Sequence, residues 1–211
     1  MTKLTYQHLF EPGTDPSAAP LLLLHGTGGD ETDLLPLGRE LAPGAPLLSP
    51  RGDVLEHGHP RFFRRFAEGV FDLADVERRT HALADFIAAA ARNYGFAPDR
   101  LIAVGFSNGA NIAASLLLLR PEALHAAVLL RPMVVLQPAR LPDLAGKRVL
   151  IAAGASDPIV PPQDPARLAA LLRSAGATVS VQTHPGGHGL TAADVTQARI
   201  FLRQPASNPA Q

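Results

Sequence analysis

Cysteine is absent from this 211-residue sequence. Its absence excludes disulfide bonds, thiolate metal sites and a cysteine nucleophile together. Any covalent catalyst in this chain must therefore use a different side chain.

A charge imbalance is also absent, because 19 lysine and arginine residues face 19 aspartate and glutamate residues. A balanced charge predicts no nucleic-acid partner and no attraction to an acidic membrane surface. No stretch approaches the roughly 18 apolar residues of a membrane span, and the N-terminal residues lack the apolar run of a signal peptide. We therefore expect a cytoplasmic protein without a membrane span.

Internal repeats and long linkers are missing as well. The length fits one domain, which we predict over residues 1–203, followed by a disordered tail at 204–211 that has no apolar anchors. The short, proline-rich segment at 131–147 leaves little room for a large lid. We therefore expect an open site.

Short apolar runs alternate with longer helical patterns, as in a parallel sheet built from βαβ units with helices on both faces. Leu4 to Phe10 resembles an edge strand. The other predicted strands, expected to be buried on both faces, are Leu21 to His25, Pro46 to Ser49, Leu101 to Phe106, Ala126 to Leu130, Val149 to Ala153 and Thr178 to Thr183.

Helices are predicted between these strands at Asp33 to Leu41, Asp72 to Tyr94, Asn108 to Leu119, Pro165 to Ala175 and Thr191 to Arg203. Asp72 can cap the second helix. An apolar stripe on that helix predicts core packing and consists of Leu73, Val76, Thr80, Leu83, Phe86, Ile87 and Ala90.

The segment Gly105-Phe106-Ser107-Asn108-Gly109 lies between a predicted strand and an alanine-rich helix. Small residues two positions either side of a serine permit the tight turn that exposes a nucleophilic hydroxyl at a helix N-terminus. The alternative is a helix-capping serine. Ser115, in the same helix, has neither the glycines nor the turn, so Ser107 is the candidate nucleophile.

A serine nucleophile needs a base, and the base needs an acidic partner to orient it. In this arrangement the order along the chain is Ser, Asp, His. Asp157 follows the strand that contains Val149 to Ala153, whereas Asp143 precedes that strand and Asp164 resembles a helix cap. Asp157 is therefore the preferred acid.

Two histidines compete for the role of base, because both follow the last predicted strand. His184 lies at the strand end before a proline. His188 lies in a glycine-flanked loop that can reach the serine, and we prefer it. His57 and His59 lie in a loop without further ligands, so no metal site and no cofactor are predicted.

An oxyanion hole requires two aligned backbone N–H donors. The N–H of Asn108, after the nucleophile, is one candidate, and Thr27 in the glycine-rich turn after the first long strand is the other. That turn lacks the lysine of a phosphate-binding loop and the spacing of a dinucleotide site. A nucleotide site is therefore not favoured.

These segments together resemble the bacterial carboxylesterase/phospholipase family of α/β-hydrolases, from about Leu21 to Leu202. The likeness is greatest to small carboxylesterases associated with hydroquinone and quinone resistance, and more distant to acyl-protein thioesterases. The segments that carry it are HGTGGDETDLLPL, LSPRG, RFFRRFAEGVFD, GFSNGANIA, LRPM, GASDPIVP and GGHGL.

The resemblance implies the α/β-hydrolase fold, the triad Ser107, Asp157 and His188, and the oxyanion donors Thr27 and Asn108. It also implies esterase activity on short acyl esters, and it allows a homodimer. Thioesterases of this type usually carry glutamine after the nucleophile, where this chain has Asn108. Their acyl-chain specificity therefore does not transfer.

Substrate-binding residues are expected after the strands, where ligands bind in open α/β sheets. The candidates are Gly26, Arg51, Phe63, Arg131 and Ile159. Arg51 or Arg131 can pair with a substrate carboxylate, or can instead form structural ion pairs.

The expected function is hydrolysis of a small carboxylic ester through an acyl-enzyme. Thioesterase and lysophospholipase activities would use the same residues. An inactive ligand-binding protein of this fold is the alternative from another class, since fold alone does not establish activity.

Overall fold

The computed structural model describes residues 4–204 and contains a seven-stranded central sheet. The strands are β1 (His8–Glu11), β2 (Leu21–Leu24), β3 (Leu47–Pro50), β8 (Ile102–Phe106), β9 (Ala126–Leu130), β10 (Arg148–Gly154) and β11 (Thr178–His184). Their order is β1-β3-β2-β8-β9-β10-β11, and all neighbours are parallel except β1, which pairs antiparallel with β3 at the edge.

Two short hairpins lie between β3 and the second helix, in a region for which the sequence predicts neither helix nor strand. They are formed by β4 (Val54–Glu56) with β5 (His59–Arg61), and by β6 (Arg65–Ala67) with β7 (Val70–Phe71). Strands of two or three residues have too few positions for a periodic pattern to be recognised.

Five α-helices cover the sheet: α1 (Leu35–Leu41), α2 (Leu73–Tyr94), α3 (Asn108–Leu119), α4 (Asp164–Ser174) and α5 (Ala192–Arg203). The apolar core has two layers because successive strand residues point to opposite faces. Leu22 and Leu24 of β2 pack in the layer formed with α2, α3 and α4. Leu21 and Leu23 pack in the layer formed with α1 and α5.

The predicted fold class is confirmed, with a mostly parallel sheet and helices on both faces. Residues 131–147, between β9 and β10, contain neither helix nor strand and so form no helical lid. No helix within residues 4–204 is long and apolar enough to cross a membrane. Of the predicted tail, only Gln204 lies within the described residues.

Two details of the prediction are wrong. β11 is not buried on both faces, because it is an edge strand in which only Val179 is buried and Thr178, Ser180 and Thr183 are exposed. Leu73 does not belong to the buried stripe of α2, since it is 53% exposed at the first position of the helix. Asp72 does cap α2, because its side chain accepts from the N–H of Asp75.

The parallel strands bring the loops after their carboxyl ends to one edge of the sheet. α3 packs closely there, because a Cβ atom at Gly109 would lie only 1.9 Å from the carbonyl oxygen of Leu24 at the end of β2. Gly109 therefore sets the separation between the start of α3 and β2.

Gly109→Ala should lower the free energy of unfolding by about 3 kcal/mol or more, since the added methyl would displace backbone rather than a flexible side chain. Urea unfolding measures this change. Gly146→Ala is the control: Gly146 has φ 78° but open space around its Cβ position, so its cost should be about 1 kcal/mol. Equal costs would contradict the steric account of Gly109.

Candidate active site

Ser107 occupies the turn between β8 and α3 with φ 51° and ψ −113°, a backbone conformation that is strained for a residue with a side chain. The turn closes tightly, because a Cβ atom at Gly105 would lie 2.5 Å from the carbonyl oxygen of Gly109. The N–H of Ser107 donates to the carbonyl of Leu130 on neighbouring β9, at 2.8 Å. The serine is thereby held at the sheet edge.

His188 and Asp157 form a hydrogen-bonded chain with Ser107. Nε2 of His188 lies 2.9 Å from Oγ of Ser107, and Nδ1 lies 2.8 Å from Oδ2 of Asp157. The histidine ring also packs against the ring of Phe106, with a centroid separation of 5.3 Å. This arrangement can transfer a proton from the hydroxyl to an oriented imidazole.

The competing histidine and aspartates lie elsewhere. His184 ends β11, and its Nε2 lies 3.8 Å from Asp194 rather than beside Ser107. Asp164 accepts from the N–H of Val134, and Asp143 accepts from the N–H of Ala145. Each of them therefore contacts a different part of the chain.

Asp157 is held in its charged form by its surroundings. Burial opposes ionisation, but donors from Ile159, His188 and Val160 outweigh burial and lower the pKa of Asp157 below its ordinary value. A carboxylate with three donors is fixed in orientation as well as in charge. It can therefore hold Nδ1 of His188 in the protonated tautomer.

Two backbone donors beside Ser107 have no protein acceptor within residues 4–204, namely the N–H groups of Thr27 and Asn108. Asn108 is the first residue of α3, where free N–H groups and the helix dipole favour negative charge. Both residues border the same cavity as Ser107. Their N–H groups can therefore serve an oxyanion.

The end of β5 connects these two positions. Pro60 accepts from the N–H of Gly28 at 3.0 Å, Nη1 of Arg61 donates to Oγ1 of Thr27 at 2.7 Å, and the N–H of Phe62 donates to Oδ1 of Asn108 at 2.8 Å. Three consecutive residues thus hold both halves of the candidate oxyanion hole. The sequence contains no local signal for this role.

His25, which precedes the glycine-rich turn after β2, is buried beneath the site. Nδ1 lies 2.6 Å from the carbonyl of Gly26, and the N–H of Gly52 donates to Nε2 at 2.9 Å. Only the neutral tautomer with the proton on Nδ1 satisfies both contacts. Burial lowers the pKa of His25, so the ring stays neutral and ties the turn after β2 to the segment after β3.

A cavity of about 240 Å³ opens beside Ser107 and His188. Its apolar wall includes Phe71, Phe106 and Met133, while Arg61 and Arg65 supply guanidinium groups. This volume is below the roughly 300–1,000 Å³ of sites for drug-sized ligands. A small substrate fits it best.

Comparison with known proteins identifies the family. Residues 60–200 match the model of the dienelactone hydrolase family. The protein MhqD of Bacillus subtilis (strain 168), named as a hydrolase, is 50% identical over 198 residues, which are 94% of this chain and 98% of MhqD. The chain belongs to the dienelactone hydrolase family.

Solved structures agree with this membership. The crystal structure of the Bacillus cereus carboxylesterase superposes with a TM-score of 0.90 and 48% identity, covering 92% of each chain. YahD, solved with malic acid, superposes with a TM-score of 0.86 and 32% identity, covering 92% of this chain and 96% of YahD. This dienelactone hydrolase family member is therefore a carboxylic ester hydrolase of the α/β-hydrolase fold, as the sequence motifs predict.

Of the substrate-binding residues predicted for this dienelactone hydrolase family member, Ile159 and Arg131 border the cavity. Gly26, Arg51 and Phe63 do not border it. Gly26 leaves room for the Phe106 ring, since a Cβ atom there would lie 2.9 Å from it. Phe63 is fully buried.

The two predicted substrate-binding arginines are engaged with the protein. Arg51 binds Glu31 through Nε and, at 3.0 Å, through Nη2, so it forms the structural ion pair that was the alternative. Arg131 borders the cavity but its side chain has no exposed surface and is paired with Asp194. Arg61, which the prediction omitted, has a partly free guanidinium at the cavity.

The depressed pKa of His25 predicts acid sensitivity. Between the folded pKa and the ordinary value of 6.5, the unfolded chain binds more protons than the folded chain, so stability falls as the pH drops below that ordinary value. His25→Gln, which has no titrating group there, should lose less stability than the parent between about pH 7.5 and about pH 5. Urea unfolding at each pH measures the difference. Identical pH dependence in both proteins would contradict this assignment.

Proposed function

We propose that this chain hydrolyses small carboxylic esters through an acyl-enzyme, with Ser107 as nucleophile, His188 as general base and Asp157 as the residue that orients His188. The observation that carries the proposal is the pair of hydrogen bonds, 2.9 Å and 2.8 Å long, that join the three side chains in this order. Membership of a hydrolase family supports it.

Acylation begins when Oγ of Ser107 attacks the ester carbonyl carbon and its proton passes to Nε2 of His188. Asp157 stabilises the imidazolium that forms. The N–H groups of Thr27 and Asn108 donate to the oxyanion of the tetrahedral intermediate. Collapse of that intermediate breaks the bond to the alcohol, which takes the proton from His188 and leaves.

Deacylation repeats these steps with water. His188 removes a proton from water, the resulting hydroxide attacks the acyl-enzyme carbonyl, and the second tetrahedral intermediate releases Ser107 and the carboxylic acid. The proton returns to Oγ of Ser107. Atoms and charges balance without a cofactor.

Ser107→Ala should lower kcat by about a thousandfold or more, because it removes the group that forms the covalent bond. Release of p-nitrophenol from its butyrate ester measures this loss. Ser115→Ala is the matched control: Ser115 is buried in the same helix and donates to the carbonyl of Asn111 at 3.0 Å. That variant should retain the parent kcat. A Ser107→Ala enzyme with parental kcat would contradict the proposal.

The substrate of this site carries a carboxylate that binds Arg61. Arg61 is only 2% exposed and donates through Nε and Nη1 to Phe63, Thr27 and Glu56. Nη2 of Arg61 has no hydrogen-bond partner within residues 4–204. It is not among the fully buried unpaired atoms, such as Nδ2 of Asn108, so it remains accessible to a ligand. A guanidinium edge with free donors suits a carboxylate.

Two further observations bear on this substrate class. Arg65 also borders the cavity, but it is bound to Glu56 and Glu68. The relative YahD was solved with malic acid, a dicarboxylic acid.

Arg61→Gln should lower kcat/KM for mono-p-nitrophenyl succinate about tenfold or more relative to p-nitrophenyl butyrate, because one charge-assisted hydrogen bond is worth about 1.5–3 kcal/mol. The two esters differ by a terminal carboxylate. Thr27→Val is the control, since it removes the hydrogen bond between Arg61 and the Thr27 hydroxyl but leaves the guanidinium in place. It should lower kcat/KM equally for both esters. Equal losses in Arg61→Gln would mean that Arg61 only positions Thr27.

A further inference from the structure

Arg131 is the residue that follows β9, and its side chain is entirely buried. All five of its N–H donors are used within the protein. The acceptors belong to three segments: the carbonyl of Ala152 on β10, the carboxylate of Asp194 on α5, and two carbonyls of the loop between β11 and α5.

Those two loop carbonyls flank the proposed general base. Nε of Arg131 donates to the carbonyl of Gly187 at 3.1 Å, and Nη2 donates to the carbonyl of Gly189 at 3.0 Å. Gly187 and Gly189 have no side chains of their own with which to anchor the loop. We propose that Arg131, together with Asp194, is the positioning residue that holds His188 in line with Ser107.

Asp194 extends this anchoring to α5. Its oxygens accept from Nη1 and Nη2 of Arg131 at 2.9 and 2.8 Å. They also accept from the N–H and hydroxyl of Thr191, both at 2.8 Å, in the capping box of α5. One guanidinium therefore connects the loop of His188 to the first turn of the helix that follows it.

β9 also connects the base to the nucleophile. The carbonyl of Leu130 accepts from the N–H of Ser107 at 2.8 Å, and the next residue, Arg131, binds both sides of His188. Arg131 itself has φ 59°, which is a costly conformation for a residue with a side chain. Two consecutive backbone positions thus set the separation of the two reacting side chains.

Stability alone does not account for this pair. The side chains of Arg131 and Asp194 are 0% and 1% exposed, and removing two charges from water offsets much of their attraction. A contact that uses five donors fixes the geometry of the groups it joins. Geometry matters here because misplacement of a reacting group by about 1 Å can lower the rate about a hundredfold.

Arg131→Lys tests the positioning role, since lysine keeps the charge but offers three donors and no planar fork. Arg148→Lys is the matched control. Arg148 is also buried, and it donates to the carbonyl of Gln204, just after the other end of α5, at 3.0 Å. It is the first residue of β10, whereas the loop of His188 lies at the carboxyl ends of the strands, so Arg148 is far from His188. Both variants are assayed with p-nitrophenyl butyrate for kcat and KM, and by thermal unfolding.

We expect Arg131→Lys to lower kcat about tenfold or more with KM within about twofold, because orientation of the base matters in the transition state rather than in binding. Arg148→Lys should keep the parent kcat at a comparable loss of Tm. Parental kcat in Arg131→Lys, or equal kcat losses in both variants, would overturn the inference. If Arg131→Lys does not fold, Asp194→Asn replaces it. We expect the same loss of kcat with KM nearly unchanged, and a parental kcat in Asp194→Asn would overturn the inference.

This inference rests on the proposed role of His188, and His188→Ala separates the two. An active His188→Ala enzyme would refute the proposed function itself. An inactive His188→Ala enzyme beside a fully active Arg131→Lys enzyme would refute only the positioning role of Arg131.

Discussion

The strained turn at Ser107 is the constraint on which the site depends. The residue can hold φ 51° because α3 packs directly against β2 and β8, with Gly105 and Gly109 providing the space. That packing places the first residue of α3 beside the cavity and brings the N–H of Ser107 to β9. Such strain costs about 1–3 kcal/mol and persists only where the surroundings over-determine the backbone.

Two buried arginines organise the loops on either side of this turn. Arg61 binds the Thr27 side chain on the side of the proposed oxyanion donors, and Arg131 binds the carbonyls next to His188 on the other side. Each is paired with a carboxylate, Glu56 and Asp194 respectively. Guanidinium groups suit this task because their rigid fork contacts several oxygens at once. The loops are thus held mainly by polar contacts, while the apolar core lies beneath them.

The sheet and the order of the triad candidates could be predicted because both depend on local signals. Apolar runs, helix caps and the glycines around Ser107 all reflect short-range geometry, and the bounds of α3 agree with the prediction. Which arginine offers free donors to the cavity could not be predicted. Arg51 and Arg131 follow strands, but their partners Glu31 and Asp194 lie 20 and 63 residues away in the sequence. Arg61 lies in a three-residue strand, which is too short for a periodic pattern to be recognised.

Labelling with diethyl p-nitrophenyl phosphate tests the central claim most directly, because this reagent phosphorylates a serine only where a base and an oxyanion hole activate it. Mass spectrometry of the intact chain and of its peptides gives the extent and position of labelling. The account predicts one diethylphosphoryl group per chain, attached to Ser107, with esterase activity lost in proportion. Loss of activity with Ser107 unmodified, or a label on another residue, would contradict it.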